Sequence, residues 1–375
     1  MQPRSWLKAV GPRNPFSCQS DTLPVNLVLM VKLIALGLLL KGYLFDLSDH
    51  FLPYWPIFDY LGPFHVFNDV SQVAFLAGVG GILFSRSIRF GSVILGLVML
   101  ITVVSSRVAY SNVKFFCGCI LLLTGLADSR NPAVLLRYQM AIVYSGAWIN
   151  KVFDPDWRSG QYFEHWMSAI IKREFYVQAA SLFPPMLLSR VMCWSTIVTE
   201  MFLSAGFLLR PLRQLSVLVG VYFHSMAFLL AWYDFRMFTI AILSSYLILV
   251  RWPEKLGVSI DPGNRLHRWI KTVFARMDFD RRIDWKPRPG GFMVEIFEKN
   301  YSGFQAFKRL ILYSPVSYFG YVLILGLPNE PFLWFKLKAV QLVLIFFFPY
   351  WEMMEALKVR PHWRKRLPEK AGKKA

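Results

Sequence analysis

The sequence predicts an all-α, polytopic integral membrane protein: a helical bundle of about eight core spans, followed by a C-terminal apolar hairpin that either spans or lies at the interface. The first observation is composition. The chain is 55% hydrophobic with a mean hydropathy of +0.40, against about 45–50% apolar residues in a soluble domain. The second is the placement of charge, which is confined mostly to short gaps between apolar runs. The third is period: ten-residue alternating strands are absent, so helices rather than a barrel must satisfy the backbone in lipid.

Residues 1–23 read as a basic cytoplasmic leader carrying Arg4, Lys8 and Arg13. The bundle is placed at 24–251. Its first span, about 25–44, contains Lys32, an expensive intramembrane cation with either a site role or a structural one. An acidic, aromatic and proline-containing loop at 46–69 (Asp46, Asp49, His50, Asp59, His65, Asp69) reads as interfacial or re-entrant. Spans follow at about 70–85, 90–106, 112–127 and 134–152, each near the ~20 residues a bilayer requires. Residues 158–188 mix charges with aromatics, as an amphipathic surface segment does. Spans resume at about 190–209, 213–232 and 235–251.

Loop charge orients these spans. With a cytoplasmic N-terminus, Arg86/Arg89, Arg130/Arg137 and Arg210/Arg213 all fall inside, and the acidic 46–69 loop falls outside. Lys151 then emerges on the outer face, and both termini are cytoplasmic. The Asp234/Arg236 turn reads as a solvated pair. Residues 252–308 form a basic cytoplasmic segment too short for a large core. The apolar hairpin occupies 309–356 and a basic tail 357–375.

The net charge of +19 lies in loops and tail, where positive-inside bias and anionic headgroups account for it. The aromatics sit in apolar runs rather than among Lys/Arg, which excludes a nucleic-acid groove. Cys18, Cys117, Cys119 and Cys193 make no CxxC pair, and Cys117-Gly-Cys119 reads as buried structural thiols. No His/Glu spacing of the H-E-x-x-H kind occurs, so no metal is assigned.

The chemistry concentrates in Tyr144-Ser-Gly-Ala-Trp-Ile-Asn-Lys-Val-Phe-Asp-Pro-Asp-Trp157, running on to Gly160 and His165-Trp166. An apolar helix ends there on Lys151 beside two carboxylates. Lys151 reads either as a desolvated base or as a snorkelling lysine neutralised by Asp154 or Asp156. Glu200 and His224, at similar depth on consecutive antiparallel helices, can form a buried pair that is a functional site or a structural bond. His165 beside Trp166 reads as an interfacial anchor.

These residues carry a resemblance. Tyr144-x-x-Ala-x-x-x-Lys151 with Asp154-Pro-Asp-Trp157, then Ser204-Ala-Gly-Phe-Leu-Leu209, Tyr222-Phe-His-Ser-Met226 and Trp252-Pro-Glu-Lys-Leu256, occur in the order seen in the HTTM superfamily. That superfamily includes the vitamin K-dependent γ-glutamyl carboxylases. The motifs cover about 140–256, and the helix plan extends the resemblance over about 25–256. It implies a quinone cofactor such as vitamin K hydroquinone, or a lipid-like one, with Lys151 as outer-side base. Glu200 and His224 join it in the catalytic set, and Asn112, Tyr144 and Trp157 form the cofactor-binding set. It also implies a peptide or protein substrate on the outer face, with membrane lipid around the bundle. The chain departs from the pattern in two places: Val113 stands where the family has a histidine after Asn112, and the long lumenal domain has no counterpart. Those departures keep a non-catalytic membrane scaffold or maturation partner as the alternative. Tyr301-Ser-Gly-Phe-Gln-Ala-Phe-Lys-Arg-Leu310 resembles the later part of a DCC thiol-oxidoreductase domain, without the Cys-x-x-Cys on which its chemistry rests.

Overall fold

The computed structural model describes residues 14–326, apart from 21, 48–52, 61–63, 86, 109, 129 and 232–235. The start of the leader, Asp49, His50 and Asp234, the second limb of the apolar hairpin and the basic tail lie outside the described residues.

Helix α1 (Val25–Leu40) is the axis of the bundle. Pro24 precedes it, and Gly42, with φ of +76°, closes it in the left-handed conformation that favours glycine. Every residue from Asn26 to Ala35 is buried, so the helix has no solvent stripe and must be surrounded. Of the next helices, α2 (Phe64–Phe84) and α4 (Asn112–Leu126) pack against it, α3 (Ile88–Ser105) lies against those two and α5 (Ala133–Phe153) against α4. Small residues let α2, α3 and α4 approach closely. A Cβ on Gly96 would meet the Leu122 backbone nitrogen at 2.5 Å, and Gly81 faces Gly91.

Asp154 caps α6 (Pro155–Ser159) through its side chain, with Pro155 at the first helical position. Next come α7 (Gln161–His165), a π turn at Trp166–Ile170 and α8 (Glu174–Ala180). The bundle resumes with α9 (Leu187–Leu208), α10 (Arg213–Ala231) and α11 (Arg236–Ser245), the last running into a 3-10 turn at Tyr246–Leu249. Each predicted span thus coincides with a helix. Among the described residues, three segments qualify by length and apolarity to cross a membrane: Val66–Phe84, Ile88–Ser105 and Leu187–Leu208. Val25–Leu40, Asn112–Leu126 and Met237–Leu249 are apolar but shorter.

The all-α expectation requires correction. Beyond Trp252 the chain folds as β1 (Leu256–Ile260), α12 (Arg265–Met277), β2 (Ile283–Pro287), β3 (Met293–Ile296), β4 (Lys299–Ser302) and α13 (Gly303–Leu312). The sheet order is β2-β1-β3-β4, with β1 and β2 parallel and the other pairs antiparallel. Alternation in Leu256, Val258 and Ile260 sends one face inward, where Val294, Ile296, Ile270, Phe274, Ala306 and Leu310 complete a small separate core. Helix α14 (Pro315–Gly326), the first limb of the predicted hairpin, returns to the bundle and buries Phe319 and Val322.

The leader residues that are described tie this unit to the bundle. Ser17 Oγ donates to Asp280 Oδ1 at 2.5 Å, Cys18 N to Asp280 Oδ2 at 2.7 Å, and Gln19 Nε2 to the Asp280 carbonyl at 3.2 Å. Phe16 packs on Phe279 and on Phe319 of α14. Lys32 donates to the carbonyls of Pro15 and Leu83, both at 2.9 Å, so its place in α1 has a structural account. Burial pushes the Cys18 thiol up to about 12, with nearby Lys32 opposing. The folded state therefore keeps a proton that the unfolded chain loses above its ordinary value of 9.0. Cys18 contributes stability that is intact below pH 9.0 and is lost as pH rises toward 12. Asp280→Ala is expected to release the strap and raise the alkylation rate of Cys18 at pH 8 by about tenfold or more. Mass spectrometry of the labelled peptide checks this, and an unchanged rate would mean the carboxylate does not hold the segment.

Candidate functional site

The candidate site lies between α5 and α9, which pack antiparallel: Lys151 lies beside Glu200, Ser145 beside Ser204, and Tyr144 beside Phe207. Periodicity arranges this. Tyr144 and Lys151 are seven residues apart, two turns, so they share a face about 10 Å apart along the axis. Glu200, Ser204 and Phe207 follow the same rule on α9.

At the end of α5, Lys151 Nζ donates to Glu200 Oε1 at 2.9 Å and Oε2 at 2.8 Å, and to the Ala147 carbonyl at 3.4 Å. The side chains are 19% and 10% exposed, so the pair is largely out of water. The expected neutralisation by Asp154 or Asp156 does not occur. Asp154 instead caps α6, and Glu200 takes the cation. Trp157 forms a lid over it, its ring centroid 4.9 Å from Nζ, and Tyr162 stacks on Trp157 at 4.4 Å. An ammonium that donates to a carboxylate and lies against a Trp face is held in one orientation.

Deeper in the bundle lies a second polar group. The Tyr144 hydroxyl bonds His224 Nε2 at 2.7 Å and the Tyr246 hydroxyl at 2.6 Å. All three side chains are buried among Phe207, Phe223 and Phe238. Gly220 makes room for this, since any Cβ there would collide with the Tyr246 phenol. His224 thus pairs with Tyr144 and not with Glu200, because helix phase turns Glu200 toward α5 and Lys151. Ser145 and Ser204, 2.7 Å apart, occupy the level between the two groups.

Asn112 does not join them. It is exposed at the start of α4 and accepts from the Tyr110 hydroxyl at 2.9 Å. The predicted set therefore divides: Lys151, Glu200 and Trp157 form one cluster, Tyr144 and His224 a second, and Asn112 stands apart. Among the described residues no group of three His, Cys, Asp or Glu side chains is placed to hold a metal ion. His165 is exposed, as an interfacial anchor would be, and all four cysteines are free.

Sequence reasoning missed Tyr246, whose phenol sits inside an apolar run with no local signal. It also missed Lys114, which is buried in α4, ion-paired to Asp46 at 3.0 Å and bonded to the Asp46 carbonyl at 2.7 Å. A cation inside an apolar helix is the same signal that singled out Lys32.

Comparison with protein-family models, curated proteins and solved structures finds no match for this chain.

Proposed function

We propose that the chain is a multi-pass membrane protein of the HTTM type, with the eight helices of the bundle crossing the bilayer and both termini cytoplasmic. Its Lys151–Glu200 pair would serve as an acid–base site for a hydroquinone-like or lipid-like amphiphile at the outer face. The observation that carries this reading is the desolvated Lys151–Glu200 pair roofed by Trp157 and Tyr162. A cation and a carboxylate beneath a stacked aromatic shelf are suited to a ring bearing a hydroxyl group. Trp157 and Tyr162 would hold the ring, and Lys151 would meet its oxygen.

The residues themselves can move a proton. Transfer from Lys151 Nζ to Glu200 leaves an amine lone pair, able to take a hydroxyl proton, and a carboxylic acid that stores one. Bound there, such a ring supplies the oxygenation chemistry that the resemblance implies. Trp157 shields the pair from water, and Ser145–Ser204 fixes the helix spacing beneath it. A peptide or protein substrate would reach this site from the outer face.

The test is binding and turnover of a long-chain naphthohydroquinone by purified protein in nanodiscs. In air-saturated buffer, with dioxygen as the electron acceptor, native protein is expected to bind and oxidise it, and Lys151→Ala to lower turnover by about 10²–10⁴-fold, the range for losing a positioned base. The reading would be falsified if native protein bound no quinone or if Lys151→Ala turned over normally.

A second reading, a non-catalytic scaffold or maturation partner, has its own supporting observation. The ammonium has three donors, and Glu200 Oε1, Glu200 Oε2 and the Ala147 carbonyl use all three. On that reading a folded Lys151→Met/Glu200→Leu double variant retains every associated phenotype.

A further inference from the structure

The connection between α5 and α9 carries a surface that the acid–base reading does not use. It is rigid. Phe163, Met167, Tyr176 and Cys193 form their own small core. Glu164 accepts from the Tyr176 hydroxyl at 2.6 Å, Arg173 Nε donates to the Leu230 carbonyl at 3.1 Å, and Gly160 lies against the Arg190 backbone. Yet it exposes large apolar side chains: Leu182 is 80% exposed, and Ile170, Phe175 and Phe183 are exposed too, with Pro184-Pro185 in the turn that follows. Lys172, Arg158 and Arg190 of the same segment and its exit are also exposed. Large apolar side chains exposed on an internally packed segment are not a loosened core, and exposed apolar area of this kind marks an interaction site.

Its position identifies the partner. Leu182 and Phe183 precede Leu187 by only a few residues, and Leu187–Leu208 is long and apolar enough to cross a membrane. Residues at the mouth of such a span lie at the depth where headgroups meet acyl chains. Apolar tips interleaved with cations are the pattern of a segment lying in that layer, with side chains in the acyl region and Lys/Arg on phosphate.

We infer that residues 155–186 form a collar seated in the bilayer boundary layer, with Leu182 and Phe183 as its inserted wedge and Lys172, Arg158 and Arg190 on lipid phosphates. The partner is a phospholipid leaflet, not a soluble peptide. The collar would then hold the Trp157–Tyr162 shelf at a fixed depth beside the bilayer.

The inference is tested by spin labels placed one at a time at Leu182→Cys, Phe183→Cys and, on the charged side, Asp156→Cys, in full-length Cys119→Ser protein in phosphatidylcholine/phosphatidylglycerol nanodiscs. These side chains are exposed, so their replacement leaves the collar core untouched. Labels at 182 and 183 are expected to collide with dioxygen more than with an aqueous nickel chelate, and the label at 156 the reverse. Depth at 182 should fall when Phe183→Glu is added. Nickel access at 182 and 183 equal to that at 156 would overturn the inference, because the collar would then stand in water, open to a peptide or protein. The readout contains no quinone, so its outcome is separate from that of the acid–base reading.

Discussion

Glu200→Leu is expected to destabilise the folded protein by about 3–5 kcal/mol, and adding Lys151→Met to return most of that loss. The single substitution leaves an ammonium with its carboxylate gone, between two apolar helices and beneath a Trp ring. The Ala147 carbonyl at 3.4 Å and the ring face are the contacts that remain for it. The double variant replaces the pair by apolar groups of similar length and removes the desolvation cost of both charges. Titration of unfolding in mixed micelles, read as a double-mutant cycle, measures the coupling. Two single-substitution losses that simply add would show that the pair does not hold α5 to α9.

Gly220→Ala is expected to destabilise the bundle strongly for a single added methyl group. The new Cβ would occupy the volume of the Tyr246 phenol, so either α10 shifts or Tyr246 leaves its bond to Tyr144. Overpacking of this kind costs about 1–3 kcal/mol, and losing a buried hydrogen bond leaves the Tyr144 hydroxyl with His224 alone, adding about 1 kcal/mol. Tyr246→Leu in the same chain restores the space and is expected to recover the steric part but not the polar part. Thermal unfolding of the two variants separates them. Full recovery by Tyr246→Leu would mean that the phenol–phenol bond contributes nothing.

The helices were legible because apolar runs bounded by charge have few other outcomes. The end read at Asp154-Pro155 is one the chain uses, whereas α1 stops at Leu40, ahead of Gly42 and short of the span expected to about 44. The sheet was not legible. Its strands are four or five residues long and lie in a charge-rich stretch. β2, Ile-Asp-Trp-Lys-Pro, becomes a strand through its parallel pairing with β1, a contact its own residues do not announce. The site was half legible. Lys151, Glu200 and His224 stood out as ionisable groups in apolar helices, and depth alone suggested pairing Glu200 with His224. Pairing follows rotation about the helix axis as well as depth, and the rotation of α9 and α10 is set by packing. Tyr144 was read as a motif and cofactor-binding residue, yet it is the side chain that meets His224.

The strap from Asn14 to Leu23 bears on how the protein is made. Ser17 and its carboxylate acceptor Asp280 are 263 residues apart. At about 5–20 residues per second, roughly 15–50 s separate their synthesis. Of the two carbonyls that receive the Lys32 ammonium, that of Leu83 is made well before Asp280. The carbonyl of Pro15, the second partner, lies on a segment whose bonds to Asp280 wait for the α/β unit. The tie between the leader and the α/β unit therefore forms after most of the bundle has been made. A chain stopped before Asp280 would lack the carboxylate that Ser17 and Cys18 bond, so the segment ahead of α1 would be without that tie.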